Sequence, residues 1–197
     1  EYIFIQPRGR VTIEATFEKT DLKPWPAPDF LDVNEEDWFY DAVAHAVGAG
    51  LMSGISEDKF APNNTLTRAM VAQILYSLEG KPSLSASNLS YPYTDVDSQS
   101  WYPDAVYWVR MKGYLTGYSD EQFGPNDPVT RQQLAQILYK YAKTQGYDIT
   151  SGGMVLQEYS DYDAIADWAV VGMDWWGEFG LISGIGDKAL APTGSAT

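Results

Sequence analysis

The apolar period of this chain changes along its length. Residues 2–17 alternate, with Ile3 and Ile5, then Val11, Ile13, Ala15 and Phe17, and with Pro7-Arg8-Gly9 between the two runs. A period of two marks strands, so the pattern predicts two short strands and a turn, the tail of a β module over residues 1–19. Lys23-Pro24-Trp25-Pro26-Ala27-Pro28 predicts a stiff, extended linker over 20–29. Helical spacing then takes over. Trp38, Ala42, Ala46 and Ala49 make one stripe, and Val71, Ile74, Leu75 and Leu78 make a second.

The helical pattern repeats. Asp32-Val33, Trp38, Asp41-Ala42-Val43, Gly50, Gly54, Phe60, Pro62-Asn63, Thr67-Arg68 and Ala72 to Tyr76 recur, without a gap, 63 residues later. Between 32–76 and 95–139 there are 19 identities in 45 positions. A weaker third copy carries Tyr159-Ser160-Asp161, Trp168, Trp175, Gly180, Gly184 and Pro192. Repeats of this size share a core with their neighbours. The units are set at 30–80, 93–145 and 159–197. Each is predicted to be a helix, a glycine-containing loop and a second helix. The first helix starts in an acidic or hydroxyl-rich segment and ends at Gly50 or Gly113. The second opens at Thr67 or Thr130. Thr130-Arg131-Gln132-Gln133 fits a capping box, whereas Met70 takes the box position after Thr67. Thr197 aligns with both threonines. The third unit is therefore expected to lack its arginine and second helix, leaving apolar surface uncovered, and the chain to be a fragment of something longer.

Composition narrows the function classes. The 197 residues carry a net charge of −14, which repels phosphate backbones and anionic membranes, so no nucleic-acid partner is expected. No apolar run reaches the length of a membrane span, so no membrane insertion is expected. Cysteine is absent, which removes disulfides, thiolate metal sites and cysteine nucleophiles. No cofactor, metal or catalytic group is expected. His45, the only histidine, sits within a helix, where a packed residue is favoured over a catalyst.

The arginine after each cap is the candidate chemistry. A cation in the first turn opposes the helix dipole, yet Arg68 and Arg131 take the same place in both complete copies. Free helix amides and a guanidinium fork together could hold an anion. Alternatively, each arginine could pair with a carboxylate such as Asp32 or Asp95 and fasten the fold. Trp38, Trp101 and Trp168 could be core anchors or groove walls. Gly54, Gly117 and Gly184 could supply a positive φ or let a ligand approach the backbone.

Asp95-Val96, Trp101-Tyr102, Gly113 to Tyr118, Phe123-Gly124-Pro125-Asn126 and Thr130-Arg131-Gln132-Gln133 resemble the S-layer homology domain of bacterial surface proteins, over residues 30–197. The resemblance implies a mainly α fold, with three repeats in a pseudo-threefold arrangement and grooves between copies. It implies a secreted, cell-surface anchor, not an enzyme, that binds a secondary cell wall polysaccharide, often one bearing a pyruvate ketal on N-acetylmannosamine. The family's ligand-binding arginine carries over to Arg68 and Arg131. The expected principal groove joins Arg131, Gly117, Asp95 and Trp101. A second joins Arg68, Gly54, Asp32 and Trp38. Asp161, Trp168 and Gly184 mark a weaker third. Repeat 2 is nearest neutrality, which favours Arg131. Self-association of surface-protein subunits is the alternative partner reading, and a carbohydrate-active enzyme fragment a third. The first helices, centred near Val43, Val106 and Met173, are expected to pack together.

Overall fold

The computed structural model describes residues 25–26, 28–84, 92–151, 156–186 and 188–197. The strands expected over 1–19 and part of the linker lie outside the described residues. The described residues are mainly helical, with α1 (Tyr40–Gly48), α2 (Arg68–Leu78), α3 (Pro103–Lys112), α4 (Arg131–Gln145) and α5 (Val170–Glu178), and a 3-10 turn at Tyr162–Ala164.

Local chemistry accounts for the helix ends. α3 begins with Pro103, whose fixed φ and missing N–H suit a first helical position. Asp104 lies in its first turn, Arg110 and Lys112 in its last, and Gly113 closes it at φ 74°. α4 carries the expected box: Thr130 N–H donates to Gln133 Oε1 at 2.9 Å, and Gln133 N–H donates back to Thr130 Oγ1 at 3.3 Å. α2 closes the same box with a thioether. Thr67 N–H points to Met70 Sδ at 3.5 Å, and Met70 N–H donates to Thr67 Oγ1 at 3.3 Å.

Each second helix packs on the first helix of the next repeat: α2 on α3, and α4 on α5. The first helices do not form the main helix contacts with one another, contrary to expectation. The apolar face of a second helix is what buries them. Tyr76 meets Trp108 with ring centroids 5.8 Å apart, and Tyr139 meets Trp175 at 6.0 Å. Two core clusters result. One surrounds Leu75, Val106, Val109, Tyr114, Phe123 and Val129, and the other Ala135, Leu156, Met173, Trp176 and Leu190. Leu134 and Leu138 of α4 border both.

The stripe read from Trp38 is displaced. Trp38 precedes α1 and is 92% exposed, and the buried residues of α1 are Val43 and Ala44. Trp101 and Trp168 are exposed as well. None of the three is a core anchor, because each stands before its helix begins. Trp108 and Trp175, one repeat apart within α3 and α5, are core tryptophans, as is Trp176. At the equivalent place α1 has His45, whose ring meets Trp25 edge-on at 5.2 Å. Among the described residues α1 has no extensive helix partner. Ala42 and His45 are exposed where Ala105 and Trp108 are buried.

The three units meet in a closed ring of backbone hydrogen bonds. Leu66 N–H donates to the Ala196 carbonyl at 2.9 Å. Ala196 N–H donates to Val129 at 2.8 Å, and Val129 N–H donates to Leu66 at 2.9 Å. These residues immediately precede Thr67, Thr130 and Thr197, so equivalent positions surround one pseudo-threefold axis.

Trp108→Ala should cost about 3–5 kcal/mol through lost burial and the cavity left behind, whereas Trp38→Ala should change stability by less than about 0.5 kcal/mol. Urea unfolding of the two variants checks the contrast.

Candidate functional site

The site builds outward from a carboxylate clamp in each unit. Asp32 Oδ1 and Oδ2 accept the N–H groups of Phe60 and Ala61 at 2.9 and 2.8 Å. Asp95 accepts those of Phe123 and Gly124 at 2.9 and 2.7 Å. Asp161 accepts those of Leu190 and Ala191 at 2.7 and 2.8 Å. The Phe60 amide, opposed by desolvation, holds the Asp32 carboxyl below the usual carboxylate range. At Asp161 desolvation is the largest influence and acts upward, but the two amides and the Arg131 charge win and lower it. The aspartates therefore fasten a loop within their own repeat.

The glycine of that loop is required by packing. A Cβ at Gly117 would lie 2.5 Å from both the Gln122 carbonyl oxygen and the Tyr93 ring, and 2.7 Å from the Ser119 oxygen. Gly54 is enclosed in the same way by Lys59, Phe30 and Ser56, and Gly184 by Tyr159 and Ala189. None of the three has a positive φ. What approaches them closely is their own loop and an aromatic ring. Gly117 N–H also donates to the Tyr93 hydroxyl at 2.9 Å.

Each arginine crosses to the loop of the following repeat. Arg68 Nε donates to the Phe123 carbonyl at 2.8 Å, and Nη2 donates to Thr116 at 2.6 Å. Arg131 Nε donates to Leu190 at 2.8 Å, and Nη2 donates to Ser183 at 2.7 Å. The structure thus regroups the expected residues. Arg68 stands with Gly117 and the Asp95 loop, and Arg131 with Gly184 and the Asp161 loop. No described arginine bonds the Gly54 and Asp32 loop. The reason is the offset packing of second helix on next repeat, which carries the arginine one unit forward. Neither arginine pairs with Asp32 or Asp95 in a direct ion pair. Burial pulls both guanidiniums below their usual value, but they remain cations.

The expected helix amides are not free. In α2 the N–H groups of Arg68 and Ala69 donate to Asp127 and Pro125, both at 3.0 Å. In α4 those of Arg131 and Gln132 donate to Gly194 and Pro192 at 2.8 and 3.0 Å. The next two amides of each helix turn back to the cap threonine. The next repeat's Pro-containing loop consumes the donors, so the remaining arginine N–H groups are the available anion contacts of these helix starts.

Trp101 and Trp168 lie exposed at their helix starts, with Trp101 edge-on to Tyr102 at 5.0 Å. Sequence reasoning missed Tyr118, whose ring covers Arg68 with the guanidinium carbon 4.5 Å from its centroid. Its signal was present: the aligned positions are Ile55 and Ile185.

A family model described as the S-layer homology domain matches residues 29–70 and 92–135. These two segments are S-layer homology domains. The chain is similar to proteins named for the surface layer. It is 33% identical over 116 residues to the Surface-layer 125 kDa protein of Lysinibacillus sphaericus, covering 55% of this chain and 9% of that protein. It is 29% identical over 148 residues to a Cellulosome-anchoring protein of Acetivibrio thermocellus, covering 75% of this chain and 32% of that one. With an Amylopullulanase of Thermoanaerobacterium thermosulfurigenes it shares 27% identity over 188 residues, covering 92% of this chain and 10% of the enzyme. The chain thus spans a third or less of the length of these relatives.

Two consequences follow for stability. Asp95→Ala frees two amides from a charge-assisted clamp and should cost about 1.5–3 kcal/mol, measured by urea unfolding. The pH dependence has a definite sign. Asp32 and Asp161 have lowered pKa values when folded, so the unfolded chain takes up protons first. Their contribution is full above the ordinary carboxylate range and is lost as the pH falls through and below it. Melting temperatures recorded from neutral to acid pH should therefore fall in that window, less steeply in Asp161→Asn.

Proposed function

We propose that this chain is a non-catalytic anchor that holds a secreted protein on the bacterial cell wall by binding an anionic, pyruvylated secondary cell wall polysaccharide. The observation that carries the reading is the placement of Arg68 and Arg131. Each guanidinium sits at a junction between repeats, bonded to backbone carbonyls and not to a carboxylate. In a chain of net charge −14, an acidic polymer meets long-range repulsion, so attraction must come from a short-range cation. A guanidinium suits a carboxylate through its planar fork.

The relatives support the anchoring half. Their names include a surface-layer protein and a cellulosome-anchoring protein. The amylopullulanase shares only a tenth of its length with this chain, as an anchor joined to a separate catalytic part would. The enzyme activity belongs to that relative's name, and the anchoring role is what the shared segment supplies.

Co-sedimentation with purified wall polymer tests the proposal. The chain should pellet with native polymer and stay in solution once mild acid has removed the pyruvate ketals. Equal pelleting after ketal removal would overturn the anionic ligand. Absence of pelleting with both polymers, together with concentration-dependent self-association in sedimentation velocity, would replace wall binding by subunit assembly.

A further inference from the structure

The two arginine junctions are built from aligned positions but are not equivalent. Arg68 lies between two aromatic rings, its guanidinium carbon 4.5 Å from the Tyr118 centroid and 4.7 Å from that of Phe123. Only 4% of Arg68 is exposed. Burial, and after it the neighbouring Asp127 carboxylate, raise the pKa of the Tyr118 hydroxyl. That carboxylate also lies close enough to act on the Arg68 charge. A ligand carboxylate approaching Arg68 would have to displace Tyr118 and meet Asp127.

At the second junction these three side chains are replaced, and the carboxylate that acts on the Arg131 charge is Asp161, whose oxygens already accept two loop amides. Tyr118 is replaced by Ile185, Phe123 by Leu190 and Asp127 by Gly194. No aromatic ring covers the Arg131 guanidinium among the described residues, and Arg131 is only half-buried. Its hydrogen bonds are otherwise the same pair to the same two loop carbonyls. Two of its five N–H donors are used there, which leaves the others for an anion.

We infer that the Arg131 junction alone receives the carboxylate of an acidic sugar, and that Tyr118 closes the Arg68 junction and turns that arginine into a structural fastening. The inference rests on the polysaccharide reading and assigns it to one of two junctions. Position 118, with its counterpart 185, decides which arginine reads the ligand. Tyr118 acts through Arg68 and is a positioning residue.

Calorimetry with a glycoside of pyruvylated N-acetylmannosamine, and with its uncharged parent sugar as control, tests this. Arg131→Gln should weaken binding about ten- to a hundredfold, the loss of one charge-assisted contact. Tyr118→Ile in the Arg131→Gln background should restore binding by opening Arg68. Ile185→Tyr should weaken binding with Arg131 intact, which keeps the test decisive if Arg131→Gln fails to fold. Undiminished binding in Arg131→Gln or in Ile185→Tyr overturns the inference, and so does absence of rescue by Tyr118→Ile in a folded double variant. Failure of the unaltered chain to bind the pyruvylated probe overturns the polysaccharide reading itself.

Discussion

The structure depends on the ring in which Leu66, Val129 and Ala196 each donate one backbone hydrogen bond to the next. Three short extended segments, distant in sequence, are fixed against one another at a single axis. Every second helix departs from a member of this ring. The direction of α2 and α4, and so the place of their arginines, is set there. A backbone group buried without a partner costs about as much as a lost hydrogen bond. Removing one segment would therefore leave both of its neighbours with an unpaired group.

The repeats are consequently not independent units. α2 uses carbonyls of Pro125 and Asp127 to satisfy its first amides, and α4 uses those of Pro192 and Gly194. The same exchange that completes each helix also fastens the arginine of one repeat to the glycine loop of the next. A linear repeat protein needs contacts with neighbours for stability; here that dependence also builds the candidate binding junctions. Fold and site are products of one offset, in which each repeat finishes the one before it.

Much of this was legible in the chain. The 63-residue repeat, the Thr130 and Gln133 box and the Gly113 helix end came directly from spacing and side-chain type, because these are local matters. The forward reach of Arg68 and Arg131 was not legible, since identity between repeats says which positions are alike but not which repeat each one touches. The tryptophan before each helix misled for a related reason. A helical stripe assumes that the helix has already begun, and Trp38 and Trp101 stand outside it. Met70 broke the box pattern in sequence but kept its geometry, the sulfur standing where a side-chain oxygen would accept. Tyr118 was visible as a difference between copies, and became informative only when its ring was found over an arginine from another repeat.

The contact between Trp25 and α1 depends on a glycine. The indole meets His45 edge-on, and a Cβ added at Gly48 would strike it at 2.3 Å. A side chain at position 48 would push the indole off the helix, so Gly48 is what lets Trp25 lie flat against α1.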